Sequence, residues 1–288
     1  MQEESAILDQ ARTTAAVAAG RLRLPLAGKI WHGQTGNWAG AGIGSSIDFQ
    51  DHRPYVPGDD PRYINWQAFA RSGHYTMKLY REEVSPQIDL LLDTSASMFF
   101  EPEKRLRSWE LFYFCRESAL RTGAALRTYL SSGNDFREVQ REELEAQTIE
   151  LPENNDGALA IGSIPWRPGS LRVVISDLLF APGTGAPLLP LSHGNGRGIL
   201  FVLHAQSEVS PDWSGNLSFI DCESGARHRQ FVSRELIERY RRNYARHFGE
   251  WQQEARRQNL IFARIAAEGD LMEALQKDPI QRGAVESY

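Results

Sequence analysis

The chain has 288 residues, 41% of them hydrophobic, with 32 basic side chains against 37 acidic ones and a net charge of −5. That composition supplies a sizeable core, and the acidic balance argues against a dedicated nucleic-acid binder. No apolar stretch approaches the roughly 20 residues that span a bilayer, the start Met1-Gln2-Glu3-Glu4-Ser5 lacks the order of a signal peptide, and Cys115 and Cys222 do not make a disulfide framework, so a reduced cytoplasmic setting is expected.

Residues 1–30 form an N-terminal segment that opens with an alanine-rich helical stretch at about 4–20. Residues 31–86 are rich in glycine and aromatics, and Tyr75-Thr76-Met77-Lys78-Leu79-Tyr80 alternates as a strand does. A segment of about 55 residues buries little surface alone. It is therefore expected as a β-rich extension packed on the main domain. From 87 to 270, strands at 87–93, 124–131, 136–140, 171–177, 198–205, 217–222 and 260–266 alternate with helices at 104–121, 156–163, 183–192 and 233–258. Residues 271–288 read as a C-terminal tail. The apolar strands 87–93, 171–176 and 198–203 read as buried on both faces, as parallel strands are. The alternation predicts an α/β fold with a doubly wound, mostly parallel sheet.

Asp93-Thr94-Ser95-Ala96-Ser97 follows the apolar run Ile88-Asp89-Leu90-Leu91-Leu92. A carboxylate and two hydroxyls at alternate positions are hard oxygen donors of the kind magnesium takes. The carboxyl end of a central strand is also where α/β sheets bind ligands. The plain alternative is a Ser-rich turn that caps the next helix. Val173-Val174-Ile175-Ser176-Asp177 is a second apolar strand ending in an acid. In a parallel sheet the two ends share a rim, which sets Asp177 facing Asp93; otherwise Asp177 simply starts a turn.

A third constellation runs from Arg53-Pro54-Tyr55 through Pro57-Gly58-Asp59-Asp60-Pro61-Arg62 and Ile64-Asn65-Trp66 to Ala70-Arg71. Its arginines are placed for bidentate pairing with Asp59, Asp60 or Glu82. Arg53, Asp59, Asp60, Arg62, Trp66 and Arg71 read as a structural ion-pair cluster rather than an active site. The glycine run Gly40-Ala41-Gly42-Ile43-Gly44 lacks the lysine of a phosphate-binding loop. The histidines show no zinc spacing, and Ser95 sits in no hydrolase elbow.

Together these residues resemble a bacterial family of unknown function, domain-of-unknown-function family 58. The likeness is carried by Arg53-Pro54-Tyr55, Pro57-Gly58-Asp59-Asp60, Arg62, Ile64-Asn65-Trp66, Ala70-Arg71, Glu82-Glu83 and Asp93-Thr94-Ser95-Ala96-Ser97-Met98, and extends to Ile220-Asp221-Cys222-Glu223-Ser224-Gly225. Such proteins are similar to von Willebrand factor A domains. That resemblance implies a metal-ion-dependent adhesion site. In it Ser95 and Ser97 would bind Mg2+ (or Mn2+ or Ca2+) through hydroxyls, Asp93 and Asp177 would bind directly or through water, and an open position would take a partner's acidic residue. The adhesion site's usual threonine is missing from the stretch 151–159; either Asp156 would substitute as an oxygen donor there or the site would be weak or vacant. The family often has aspartate where Asn65 stands, a change expected to soften the ion pairing. The resemblance also implies a MoxR-type AAA+ ATPase and client proteins as partners. Many members carry transmembrane helices before this region; this chain shows none there, which points to a soluble member.

The reading is thus a non-enzymatic, metal-dependent protein-binding adaptor. A structural scaffold with a degenerate metal site is one alternative. A metal-dependent phosphohydrolase with Asp93 as nucleophile is the other.

Overall fold

The computed structural model describes residues 2–26, 47–82, 86–146, 148–152, 159–180 and 188–288. The chain divides into two compact units, residues 1–27 with 86–288, and residues 28–85. Along the chain, α1 (Gln2–Ala18) and β1 (Leu22–Arg23) open the larger unit, and β2 (Ile47–Pro54), α2 (Trp66–Ser72) and β3 (Thr76–Glu82) form the smaller one. The larger unit resumes with β4 (Gln87–Asp93), α3 (Ala96–Phe99), α4 (Pro102–Thr122), β5 (Ala125–Ser132), β6 (Asp135–Glu138) and α5 (Arg141–Ala146). It continues through β7 (Leu171–Ser176), β8 (Arg197–His204), α6 (Gln206–Val209), β9 (Gly215–Ile220) and β10 (Arg227–Val232). It ends with α7 (Arg234–Arg257), β11 (Ile261–Ala266), α8 (Leu271–Gln276), α9 (Asp278–Arg282) and β12 (Glu286–Ser287).

The central sheet of the larger unit is six-stranded, in the order β11-β8-β7-β4-β5-β6. Every pairing in it is parallel except the β5–β6 hairpin. Alternate side chains of the buried strands feed two separate cores. Leu90, Leu92, Val173, Ile175, Ile199 and Phe201 pack with Trp109, Phe112 and Cys115 of α4 and with Leu8, Ala11 and Ala15 of α1. Leu91, Val174, Leu200 and Val202 pack with Phe248, Trp251 and Ala255 of α7. Burial on both faces is the reason these strands are continuously apolar rather than alternating. This is the doubly wound α/β arrangement expected from the sequence. After β4 the chain adds β5 on one side, then crosses to add β7 on the other, so the switch point lies between β4 and β7.

Several boundaries differ from the sequence reading. The N-terminal segment belongs to the main core, because α1 places Leu8, Ala11, Ala15 and Ala18 on one face at helical spacing. Residues 271–288 are not a tail: Leu271, Leu275, Ala284 and Val285 are buried, and Glu286 and Ser287 pair with Arg23 and Leu22. The helix expected at 156–163 is a turn in its described part. The one expected at 183–192 reduces, in its described part, to a short 3-10 turn, Leu189–Leu191, centred on Pro190. The strand expected at 217–222 is half of a separate β9–β10 hairpin, outside the central sheet.

In the smaller unit β2 and β3 pair antiparallel, with a bulge between Phe49 and Asp51. The expected ion-pair cluster separates into two local pairs. Arg53 grips Asp59 with both terminal nitrogens (2.6 and 2.7 Å), and Arg62 grips Asp60 (2.6 and 2.9 Å). Arg53 holds the Asp59 carboxyl below the usual range, as Arg62 does that of Asp60. Trp66 is exposed and meets Phe69 and Tyr75 edge-on, so it belongs to an aromatic group and not to the ion pairs. Arg71 lies exposed in the last turn of α2, where a cation suits the helix dipole, and has no ion pair among the described residues. Asn65 caps α2, its side-chain oxygen accepting from the Ala68 N–H at 3.1 Å. An amide does that work as well as a carboxylate.

Candidate functional site

The loop after β4 is fixed from below. The Thr94 N–H and hydroxyl both donate to the Ser131 carbonyl on β5, at 2.8 and 3.0 Å. Met98, fully buried, anchors the first turn of α3 in the core. Between these anchors Ser95 and Ser97 stay half-buried, with their hydroxyl oxygens 3.1 Å apart. Asp93 lies beneath them. Its Oδ1 accepts from the Ser95 N–H (2.9 Å) and its Oδ2 from the Ser176 hydroxyl (2.6 Å). Burial pushes the Asp93 pKa up to about 6, with the Asp177 charge adding to it and the Ser176 and Ser95 hydrogen bonds opposing it.

Asp177 ends β7 on the same rim, as parallel strands require. Its Oδ2 accepts from Lys104 Nζ of α4 at 2.7 Å, and its Oδ1 from the Leu179 N–H at 3.1 Å. Lys104 is wholly buried and also donates to Glu208 of α6 at 2.6 Å. Burial alone would depress the Lys104 pKa; Asp177 and Glu208 outweigh it and hold the ammonium charged, above the usual lysine value. The next residue, Leu178, is buried with φ of +52°, a left-handed backbone that is strained for a branched side chain. It is held there by its N–H to Ser176 Oγ (3.0 Å) and by His247 Nε2 donating to its carbonyl (2.6 Å).

The rim is overhung by the turn of the β9–β10 hairpin. Asp221 Oδ1 accepts from the Glu223 and Ser224 N–H groups at 2.8 and 3.3 Å, and Gly225 takes the left-handed conformation that closes the turn. This order aims Glu223 at the loop after β4. Its carboxylate accepts from the Ala96 N–H at 3.2 Å and the Ser97 N–H at 2.8 Å. Asp93, Ser95, Ser97, Asp177, Asp221, Cys222 and Glu223 line one pocket of about 380 Å3, together with the apolar Leu159, Leu179 and Phe180.

The structure therefore brings together Asp93, Ser95, Ser97 and Asp177. Asp156 lies outside the described residues. Among the described residues no group of three or more His, Cys, Asp or Glu side chains is arranged to hold a metal. A cation here would depend on the serine hydroxyls together with Asp93. That donor set fits Mg2+, which takes oxygen ligands and keeps waters. A carboxylate whose burial resists ionisation also gains most from a nearby cation. Asp177 fits less directly, because Lys104 already neutralises it.

Sequence reasoning missed Lys104, Glu208 and Glu223. Lys104 had a local signal: it falls with Ser108, Leu111 and Cys115 on one face of a helix, all buried, so a lone lysine there needs an acidic partner. Glu223 had none, being 126 residues from the amide it engages.

A protein-family model described as "Protein of unknown function DUF58" matches residues 51–135, a span that includes Arg53, Asp59, Asp60, Asp93, Ser95 and Ser97 and stops short of Asp177 and Glu223. No curated protein matches the sequence. A solved structure described as the conserved hypothetical protein BatB from Bacteroides thetaiotaomicron aligns over 69% of this chain and 98% of its own, with 13% identity and a TM-score of 0.36.

Proposed function

We propose that the larger unit is a non-enzymatic protein-binding module of the von Willebrand factor A type. Mg2+ would be held by Ser95, Ser97 and Asp93, with Asp177 reached directly or through water. The bound cation supplies an electropositive centre for the carboxylate of a partner's acidic residue. The chain's own residues shape that event. Thr94 and Met98 fix the loop, Ser176 orients Asp93, and Leu159, Leu179 and Phe180 give the pocket an apolar part of its lining. The observation that carries the reading is the meeting of Asp93, Ser95 and Ser97 with a carboxylate already seated on the adjoining amides, at the switch point of the sheet. The sequence resemblance supplies the partner class, a MoxR-type AAA+ ATPase and its clients, in the cytoplasm.

The first test is thermal melting with and without millimolar Mg2+, in the wild type and Asp93→Ala. A ligand that binds only the folded state raises Tm. The wild type should show a Mg2+-dependent rise that the variant lacks. Equal behaviour of the two would sink the metal-dependent reading. Affinity capture from native lysate, in magnesium and in chelator, then asks whether an AAA+ ATPase is retained only with magnesium.

A second reading, a scaffold whose cation requirement is met internally, is favoured by the Lys104 ammonium seated between Asp177 and Glu208. It expects no heat on magnesium titration and no melting shift.

A further inference from the structure

The Glu223 contact carries a consequence for how the site is controlled, and it rests on the binding function proposed above. A carboxylate from the chain itself already lies where an incoming carboxylate is to be received. It is not a chance surface contact. The turn is pre-ordered by Asp221 and Gly225, and the hairpin that bears it is anchored by Trp213, whose ring meets Phe219 at 5.0 Å and Tyr240 of α7 at 5.5 Å. Tyr240 in turn donates to the Glu208 carbonyl at 2.8 Å, close to the Lys104 pairing. The hairpin turn itself is mostly exposed, with Asp221, Cys222 and Ser224 open to solvent, so it is free to lift without unmaking the core.

We propose that Glu223 is an internal latch: its carboxylate occupies the pocket above Asp93, Ser95 and Ser97 in competition with the acidic residue of a partner, and binding requires the β9–β10 turn to withdraw it. A ligand that binds only the open form has an apparent affinity reduced by the fraction of molecules that are open. Two charge-assisted hydrogen bonds at a half-exposed site leave the open form at about a tenth of the population, so removal of the latch should tighten binding about tenfold.

The test uses the full chain as wild type, Glu223→Ala and Glu223→Gln, the last keeping side-chain shape while removing charge. Amide exchange of Ala96 and Ser97 is read by NMR. A blocked pentapeptide with one central glutamate is titrated in magnesium and in chelator. The latch predicts that both variants exchange these amides about tenfold faster and that Glu223→Ala binds the peptide about tenfold tighter. Unchanged exchange overturns it, as does peptide affinity no higher than in the wild type, including no detectable binding by either protein. Failure of the binding function looks different. Tighter peptide binding by Glu223→Ala that survives chelator and an added Asp93→Ala keeps the latch and removes the cation. Magnesium-dependent binding that is equal in wild type and Glu223→Ala keeps the cation and removes the latch.

Discussion

Replacing Lys104 by Met should be the most damaging single change near the site that leaves the pocket's oxygen donors in place. The ammonium is wholly buried, 2.7 Å from Asp177 and 2.6 Å from Glu208, whose side chains are 3% and 20% exposed. At an effective dielectric constant of about 20, a charge pair 2.7 Å apart attracts by about 6 kcal/mol. Much of this offsets the cost of burying the lysine, so the pair is no great source of net stability. Its removal is another matter, because Asp177 stays buried and loses its cation. Breaking a buried pair from one side costs about 3–5 kcal/mol. For a unit of this size each kcal/mol moves Tm by about 2–4 °C, so the variant should melt roughly 6–20 °C below the wild type at pH 8. The assay is calorimetric melting of both proteins at pH 8. A Tm within 3 °C of the wild type (about 1 kcal/mol) would refute the buried triad.

Other consequences can be measured in the same way. Asp89, fully buried at the opposite end of β4, accepts from the Arg167 N–H (2.8 Å), Arg167 Nε (2.7 Å) and the Ser170 hydroxyl (2.8 Å). Asp89→Ala should lower stability by about 3–5 kcal/mol in urea unfolding while leaving any magnesium-induced shift unchanged. A Cβ at Gly196 would stand 2.3 Å from the guanidinium carbon of Arg172, whose buried side chain is pinned by the carbonyls of Arg167 and His193. Gly196→Ala should therefore cost about 1–3 kcal/mol, and a neutral result would show that Arg172 has room to move. His204 has its pKa pulled down to about 4, first by burial and then by the Arg264 charge. Because the folded value lies below the unfolded one of about 6.5, its contribution is complete above that pH and is lost as pH falls toward 4, by at most about 3 kcal/mol. His204→Gln should flatten the stability profile over that window, and an unaltered slope would assign the loss to other groups.

Much of the architecture was legible in the chain. The runs around Leu90, Val174 and Leu200 could satisfy neither an alternating strand nor an amphipathic helix, so burial on both faces of a parallel sheet was the remaining solution. Asp93 and Asp177 were legible because each ends such a run, and parallel strands put their carboxyl ends on one rim. The helix at 104–121 and the charged helix at 233–258 were visible for a similar reason, since periodicity is a local property. Boundaries near Pro190 and in the last residues were not, because the sequence there mixes turn-forming residues with apolar ones whose burial depends on distant partners.

What the tertiary structure alone decided is the state of the site. Asp89 sat unremarked inside an apolar run until Arg167 and Ser170 appeared beside it. Lys104 looked like one more charged residue at a helix start until the fold set it between Asp177 and Glu208. Glu223 lies in a turn recognisable from Asp221 and Gly225, yet nothing within the turn indicates that its carboxylate closes on Ala96 and Ser97. The physical reason is common to all three. Propensity and periodicity act over a few residues and fix which strand ends in an acid. The partners that satisfy a buried charge come from wherever the chain returns to the same point in space, and only packing determines that.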